Sequence, residues 1–451
     1  MKKLLPLLVL VAACGKTTAK PTLSSRADPA CAALDTAKIV EVFETITQDT
    51  TWTKDKVYRL EDHIFIEGAT LTIEPGTRVE GQTVGSSLVV TSSARLIASG
   101  TKDEPIVFTS CRAEGEREPG DWGGVVLLGK APINVTGGTE KIEGFPAAEG
   151  RTSYGGTDAT HDCGTLRYVR VEFAGFELAK DNELNGITVG GCGNKTTIDF
   201  VQSHMGQDDA IEFFGGTVNA KHLVLTQADD DGLDWDYGWT GMVQFMIVQQ
   251  NGVVGDNGIE ADNNGKALDA LPRSHPIIYN ATLSGSAKAP KTAGKTQTGA
   301  LLRRGTAGEI YNTIFLSFTD FPVDIRDAAT VAQMNAGALT IESSCFFNNG
   351  FQGAWDDVVV KPEDDDDGGF NEGAFFTDVT RHNLVSDDPL LTAPTNLVQP
   401  GFKPQSSSSV LLPTNARTPD ASSGFFDASA KYIGAIGTVD WTESWTAYPV
   451  N

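Results

Sequence analysis

Four segments repeat in register between residues 184 and 265. They read Asn185-Gly186-Ile187-Thr188-Val189, Asp209-Ala210-Ile211-Glu212-Phe213, Asp231-Gly232-Leu233-Asp234-Trp235 and Asn257-Gly258-Ile259-Glu260-Ala261, and their starts lie 24, 22 and 26 residues apart. A second apolar run recurs between them, at 169–173, 198–201, 223–225 and 245–248. A period in the low twenties carried by short β-rich runs is the signature of a solenoid, in which no coil can bury its apolar face alone. Each coil then pairs its strands with those of the coils above and below, about 4.8 Å away. A leucine-rich repeat has a similar period but needs an LxxLxL frame, which is absent; a sandwich or jelly roll has no fixed period. The expected fold class is all-β: a right-handed parallel β-helix with coils of about 22–26 residues.

Short strand-like runs extend this pattern in both directions. They occur at 57–60, 64–66, 69–73, 88–90, 96–97 and 106–108, and again at 277–279, 310–311, 323–325 and 339–341. The 48 glycines and 20 prolines suit a chain of many turns. A solenoid grows in one dimension, so 451 residues need not divide into several globular domains.

The N-terminus reads as an export signal. Lys2 and Lys3 precede an apolar run over 4–11, followed by Ala12, Ala13 and Cys14. A cysteine after small residues resembles a bacterial lipoprotein signal, which makes Cys14 the expected lipidation site. The run is far shorter than the roughly 20 residues needed to span a bilayer. Gly15 rather than an aspartate after Cys14 favours the outer membrane. The expected organisation is a signal peptide over 1–13, a flexible tether over 14–37, the β-helix over 38–350, and terminal coils with a C-terminal cap over 351–451.

Export permits disulfides. Cys163 and Cys192 each open a Cys-Gly step about one repeat apart and are the first choice of pair; Cys31 with Cys111 is the second, which leaves Cys345 over. No CxxC or Cys/His spacing points to zinc. A net charge of −24 repels nucleic acid and anionic lipid and is compatible with divalent cations.

Several motifs together resemble a family of bacterial surface lipoproteins. They are ATLTIEPGT at 69–77, GDWGG at 120–124, YVRVEFAG at 168–175, NELNGI at 182–187, FFGGTVN at 213–219, DDDGL at 229–233 and YIGAIG at 432–437, with Asp440-Trp441 and Trp445-Thr446 near the end. The resemblance covers nearly all of the chain after the signal. It implies a parallel β-helix of pectate-lyase-like fold on the cell envelope, and it implies no reaction. SDDPL at 386–390 and the stretch at 405–409 are similar to the terminal coils of many such β-helices.

Alternate side chains of a strand face opposite ways. Ile187, Ile211, Leu233 and Ile259 are expected inside, with Val189, Phe213, Trp235 and Ala261. Thr188, Glu212, Asp234 and Glu260 then form an outward column, and Phe214, Asp236 and Asp262 a second. Like charges stacked one strand apart are destabilising, so something should offset them. Arg303, Arg304 and Arg326 are one candidate; calcium held by Glu212, Asp234, Asp236, Glu260 and Asp262 is another. A solvated acidic face, a calcium site and a catalytic carboxylate cluster all stand open. Asn185, Asp209, Asp231 and Asn257 read as a ladder of Asx corners.

If the chain is an enzyme, acidic polysaccharide is the expected substrate. Asp208 and Asp209 would serve hydrolysis, where carboxylates must flank the scissile bond. Asp234, Glu260 and Asp262 as calcium carboxylates, with Arg303 or Arg304 as base, would serve a lyase, although no lyase motif is present. The Gly-His-Gly and Arg-Ile-Lys motifs of polygalacturonase-like hydrolases are absent, and fold alone carries no activity. None of the six histidines makes a ligand spacing, and His204, read as a loop residue near Asp208, is the one to mutate. The acidic run at 363–367 reads as a solvated loop. Trp239, Trp355, Trp441 and Trp445 are candidate sugar platforms, the last two more readily packing the C-terminal coil. The resulting expectation is a non-catalytic outer-membrane or cell-surface lipoprotein, anchored through Cys14, presenting an acidic face to glycan, cell or protein partners. A polysaccharide lyase or hydrolase and a passive envelope structural protein are the alternatives.

Overall fold

The computed structural model describes residues 30–33, 36–179, 182–288, 297–350 and 367–450. The signal segment with Cys14, most of the tether, Trp355 and residues 363–366 lie outside the described residues.

The four repeating segments fall into a single ladder. Ile187 pairs with Ile211, Ile211 with Leu233 and Leu233 with Ile259, all parallel. Among the described residues this sheet has nine strands: His63–Ile66, Ser87–Val90, Gly124–Leu128, Ile187–Gly190, Ile211–Phe214, Leu233–Asp236, Ile259–Ala261, Ala300–Leu302 and Asp324–Ile325. The rest of each coil is supplied by long strands at Gly164–Glu172, Thr197–His204, Asn219–Thr226, Met242–Gln249 and Ile277–Ser284, again paired in parallel. One residue interrupts each of them in the left-handed region: Tyr168, Phe200, His222, Phe245 and Asn280, with φ from 46° to 64°. The ladder skips these residues and resumes beyond them. A single left-handed residue thus turns the chain from one face to the next and gives each coil three sides.

An L-residue in that conformation costs roughly 1–2 kcal/mol. Stacking offsets the strain. Tyr168 lies 4.4 Å from Phe200, Phe200 4.0 Å from the His222 ring and His222 4.9 Å from Phe245, ring centre to ring centre. Such pairs contribute about 0.5–1.5 kcal/mol beyond their burial.

The core is one apolar column running the length of the coils, built from the residues expected inside. Trp235 and Trp239 are fully buried in it, and Trp239 stacks on Phe213 at 4.3 Å. Trp239 is therefore a core residue and offers no face to a sugar. His204 also departs from expectation. It ends a strand rather than lying in a loop and is buried, with one ring nitrogen 2.8 Å from Thr226 Oγ1 and the other 3.0 Å from the Pro449 carbonyl oxygen. Cys163–Cys192 and Cys31–Cys111 form disulfides, and Cys345 is a buried free thiol. Parallel pairing passes residue 350, because Leu384–Val385 adds a rung to Cys345–Phe347.

Two additions cover outer faces of the solenoid. Residues 129–163 leave the coil after Gly124–Leu128 and fold back over it. Ile133, Ile142, Phe145 and Tyr154 pack there on Phe65, Val89, Val126, Leu128 and Phe214, joined by Phe176 and Leu184 of a small hairpin. The C-terminal segment returns across the long strands. Glutamine and asparagine side chains hold its backbone: Gln249 Nε2 donates to Pro394 O at 2.8 Å, Asn280 Nδ2 to Tyr432 O at 2.7 Å and Gln202 Nε2 to Ala447 O at 2.7 Å. Trp445 is buried beneath it against Tyr168 and Phe200, and Trp441 packs on Phe200 and the His222 ring.

A short helix, α1 (Glu372–Phe376), places Phe376 against Phe346 in the main core and buries Glu372 near its start. Burial, reinforced by Asp367 and Asp324, pushes the Glu372 carboxyl up to about 8, although the Ile325 N–H donates to it. A raised carboxyl favours the neutral form in the folded state. Its stabilising contribution is full below the ordinary glutamate value and is lost as pH rises through about 8. Stability measured by urea unfolding should therefore fall between pH 4.5 and 8 on account of this group, by about 2 kcal/mol, because solvent screening reduces the full linkage effect. Glu372→Gln should remove that part of the slope, and an unchanged slope would refute the assignment.

Candidate metal centre

The sheet register places Thr188, Glu212, Asp234 and Glu260 in one outward column, capped by Leu301 and then Asp324. The expectation of a solvated face fails for its first half. Thr188 is fully buried and Glu212 is 7% exposed. The cause is local: Tyr154 of the 129–163 addition packs on Phe214 beside Glu212, and the corner residue Asn185 donates its Nδ2 to Glu212 Oε2 at 2.6 Å.

The Asx corner is a hydrogen-bonded ladder. Asp209 Oδ1 accepts the Asp231 N–H at 2.9 Å, and Asp231 Oδ1 accepts the Asn257 N–H at 2.6 Å. This explains why Asx residues recur there, since the short side chain reaches the next coil's backbone. It also carries the corner carboxylates into the outward column. Asp209, Glu212 and Asp234 bring carboxylate oxygens within 4.8 Å of one another, as do Asp231, Asp234 and Glu260, and Asp208, Asp209 and Asp230. Sequence reasoning gave Asp231 the corner alone and Asp209 the corner or a hydrolytic role, and placed neither in the metal set. A carboxylate has two oxygens and serves both.

Asp236 and Asp262, expected in the calcium set, are not in these groups. Asp236 accepts the Tyr237 N–H at 2.5 Å. Asp262 is bound by arginine: Arg303 Nε reaches Oδ1 at 2.9 Å and Arg304 reaches Oδ2 at 2.5 Å, while Arg303 also bonds Glu260. Arg326 pairs with Asp324 instead of extending this cluster. The arginine balance foreseen for the columns therefore exists at one end of the row only, on Glu260 and Asp262.

The electrostatics follow. Burial pushes Asp209, Glu212, Asp231 and Asp234 well above the carboxylate range, and neighbouring carboxylates push them further. Burial raises Glu260 to about 7, with Arg303 opposing. Asp236 is raised to about 8 by burial and by Asp262. Chemically the row is a line of hard oxygen donors, suited to a divalent cation or to shared protons. A cleft of about 390 Å³, lined by Lys130, Ser153, Tyr154 and Asp158 among others, opens on the insertion, and its lining includes no member of the row.

No curated protein and no solved structure matches the chain. A family model described as a pectate-lyase like beta helix domain matches residues 44–361, well over half of the chain. With nine parallel strands stacked on one face and long bent strands on the other two, the chain belongs to the pectate-lyase-like β-helix domain family.

Proposed function

We propose that this protein is a non-catalytic lipoprotein of the bacterial outer membrane or cell surface, anchored through Cys14, whose β-helix presents an acidic surface to glycan, cell or protein partners. The observation that carries the non-catalytic reading is the engagement of Asp209, Glu260, Arg303 and Arg304 with structural partners. Asp209 holds the next coil's backbone, Glu212 is covered and bonded to Asn185, and Glu260 and Asp262 share Arg303. A lyase base must be free to take a proton in reach of substrate; Arg303 is held by two carboxylates. The net charge of −24 supports partners that are neutral or cationic, or that are bridged through divalent ions.

The test incubates the mature chain with a panel of acidic and neutral polysaccharides, with calcium and with chelator. Reducing ends and the ultraviolet absorbance of unsaturated products are followed together. No cleavage is expected at high protein concentration, and retention on at least one immobilised glycan or on whole cells is expected. Cleavage that Asp234→Asn or Glu260→Gln abolishes would replace this reading with the polysaccharide lyase or hydrolase. Neither cleavage nor retention would leave a passive envelope structural role.

A further inference from the structure

The row of carboxylates ends on two buried asparagines. Asn185 is 0% exposed and Asn257 is 2% exposed. Both turn their amides to the row: Asn185 Nδ2 lies 2.6 Å from Glu212 Oε2 and Asn257 Nδ2 3.4 Å from Glu260 Oε2. The amide oxygens of both residues have no hydrogen-bond partner, and neither does the buried Oδ1 of Asp234 between them. A buried polar atom without a partner costs about 1–3 kcal/mol. Flipping either amide gives no relief, because it would set an amide oxygen against a carboxylate. What is missing is a positive group that several oxygens can share.

We propose that the row holds two calcium-class divalent cations, one among Asp209, Glu212 and Asp234 and the next among Asp231, Asp234 and Glu260, with Asp234 shared by both. The ions join consecutive coils and serve the fold, whatever partner the surface binds. Calcium takes six to eight oxygens at roughly 2.3–2.6 Å, so two of its ligands lie at most about 5 Å apart. Each group of three satisfies that, with all its ligand oxygens within 4.8 Å. The amide oxygens of Asn185 and Asn257 are further donors of the right hardness at the two ends. An all-oxygen set disfavours zinc and copper, which take nitrogen and sulfur. The charge balance points the same way: the five carboxylates share Arg303 with Asp262, which leaves a surplus of negative charge that dications offset.

The experiment strips the purified full-length chain with chelator and titrates it with calcium chloride in a calorimeter, with magnesium chloride as the control. Thermal melts are run in calcium and in chelator. Two calcium ions per chain and a higher melting temperature in calcium are expected, with magnesium at least tenfold weaker. Asp209→Asn keeps an oxygen for the corner ladder and should lose one ion; Asp234→Asn should lose both. The sign of the second variant separates a metal role from simple repulsion. In chelator Asp234→Asn removes one of several crowded negative charges and should melt at or above the parent, whereas in calcium it should melt below it. Absence of stoichiometric calcium, with Asp234→Asn melting above the parent in both buffers, would overturn the proposal. A single ion left unchanged by Asp209→Asn would overturn it as well.

Discussion

Arg303→Ala should destabilise the folded chain by about 3–5 kcal/mol, the effect expected when one partner of a buried ion pair is removed. Arg303 donates to Asp262 Oδ1 at 2.9 Å and also bonds Glu260, and Asp262 is only 3% exposed. Removing the guanidinium leaves Glu260 without its arginine and Asp262 with Arg304 alone. Arg304 remains on Asp262 Oδ2, but its side chain is 44% exposed and its contribution is screened by solvent. Arg304→Ala should therefore cost about 1 kcal/mol or less. Urea unfolding of the two variants beside the parent measures both. Equal losses would show that the pairing at Asp262 is superficial and that the burial argument is wrong.

Trp445→Ala should have the second large effect, about 3–5 kcal/mol. The indole is fully buried where the C-terminal segment crosses the long strands. Tyr168 and Phe200 meet it edge-on at 5.9 Å each, and its Nε1 donates to the Trp441 carbonyl at 2.9 Å. Its removal opens a cavity under a segment held by small apolar clusters on the long strands and by glutamine and asparagine hydrogen bonds. The loss should appear first as local release: limited proteolysis should cut within 391–449 while the coils stay intact, and hydrogen exchange should rise there before global unfolding. Global unfolding without earlier local exposure would mean that this segment and the coils form one cooperative unit.

The repeat was legible because its inner positions have one job. Ile187, Ile211, Leu233 and Ile259 are all apolar, all fully buried and all in one ladder, so spacing alone places them. The coverings were not legible. Ile133, Ile142, Phe145 and Tyr154 follow no period, since they pack on a sheet they do not belong to. A signal was present in Phe65, Val126 and Phe214, large apolar side chains at outward positions that need a cover. The acidic cluster was half legible. Alternation gave the column of Glu212, Asp234 and Glu260, but the approach of Asp209 and Asp231 depends on the angle at the corner, which no linear pattern carries. Arg303 reaches back past Leu301, which occupies the column at its own level, so its partners were predictable by charge and not by register.

The single left-handed residue between the two long faces decides where this molecule can grow. From Gly164 to Ser284 that corner holds one residue in every coil, locked by neighbours stacked above and below. Lengthening it in one coil would slide every downstream strand out of step with the coil before. The other corners carry all the variation: 129–163 departs at one of them, and the hairpin of Phe176–Ala179 and Asn182–Leu184 at another. Relatives of this chain that acquire a new binding module should carry it at those two corners, and an engineer wishing to graft a loop or a small domain has the same two ports.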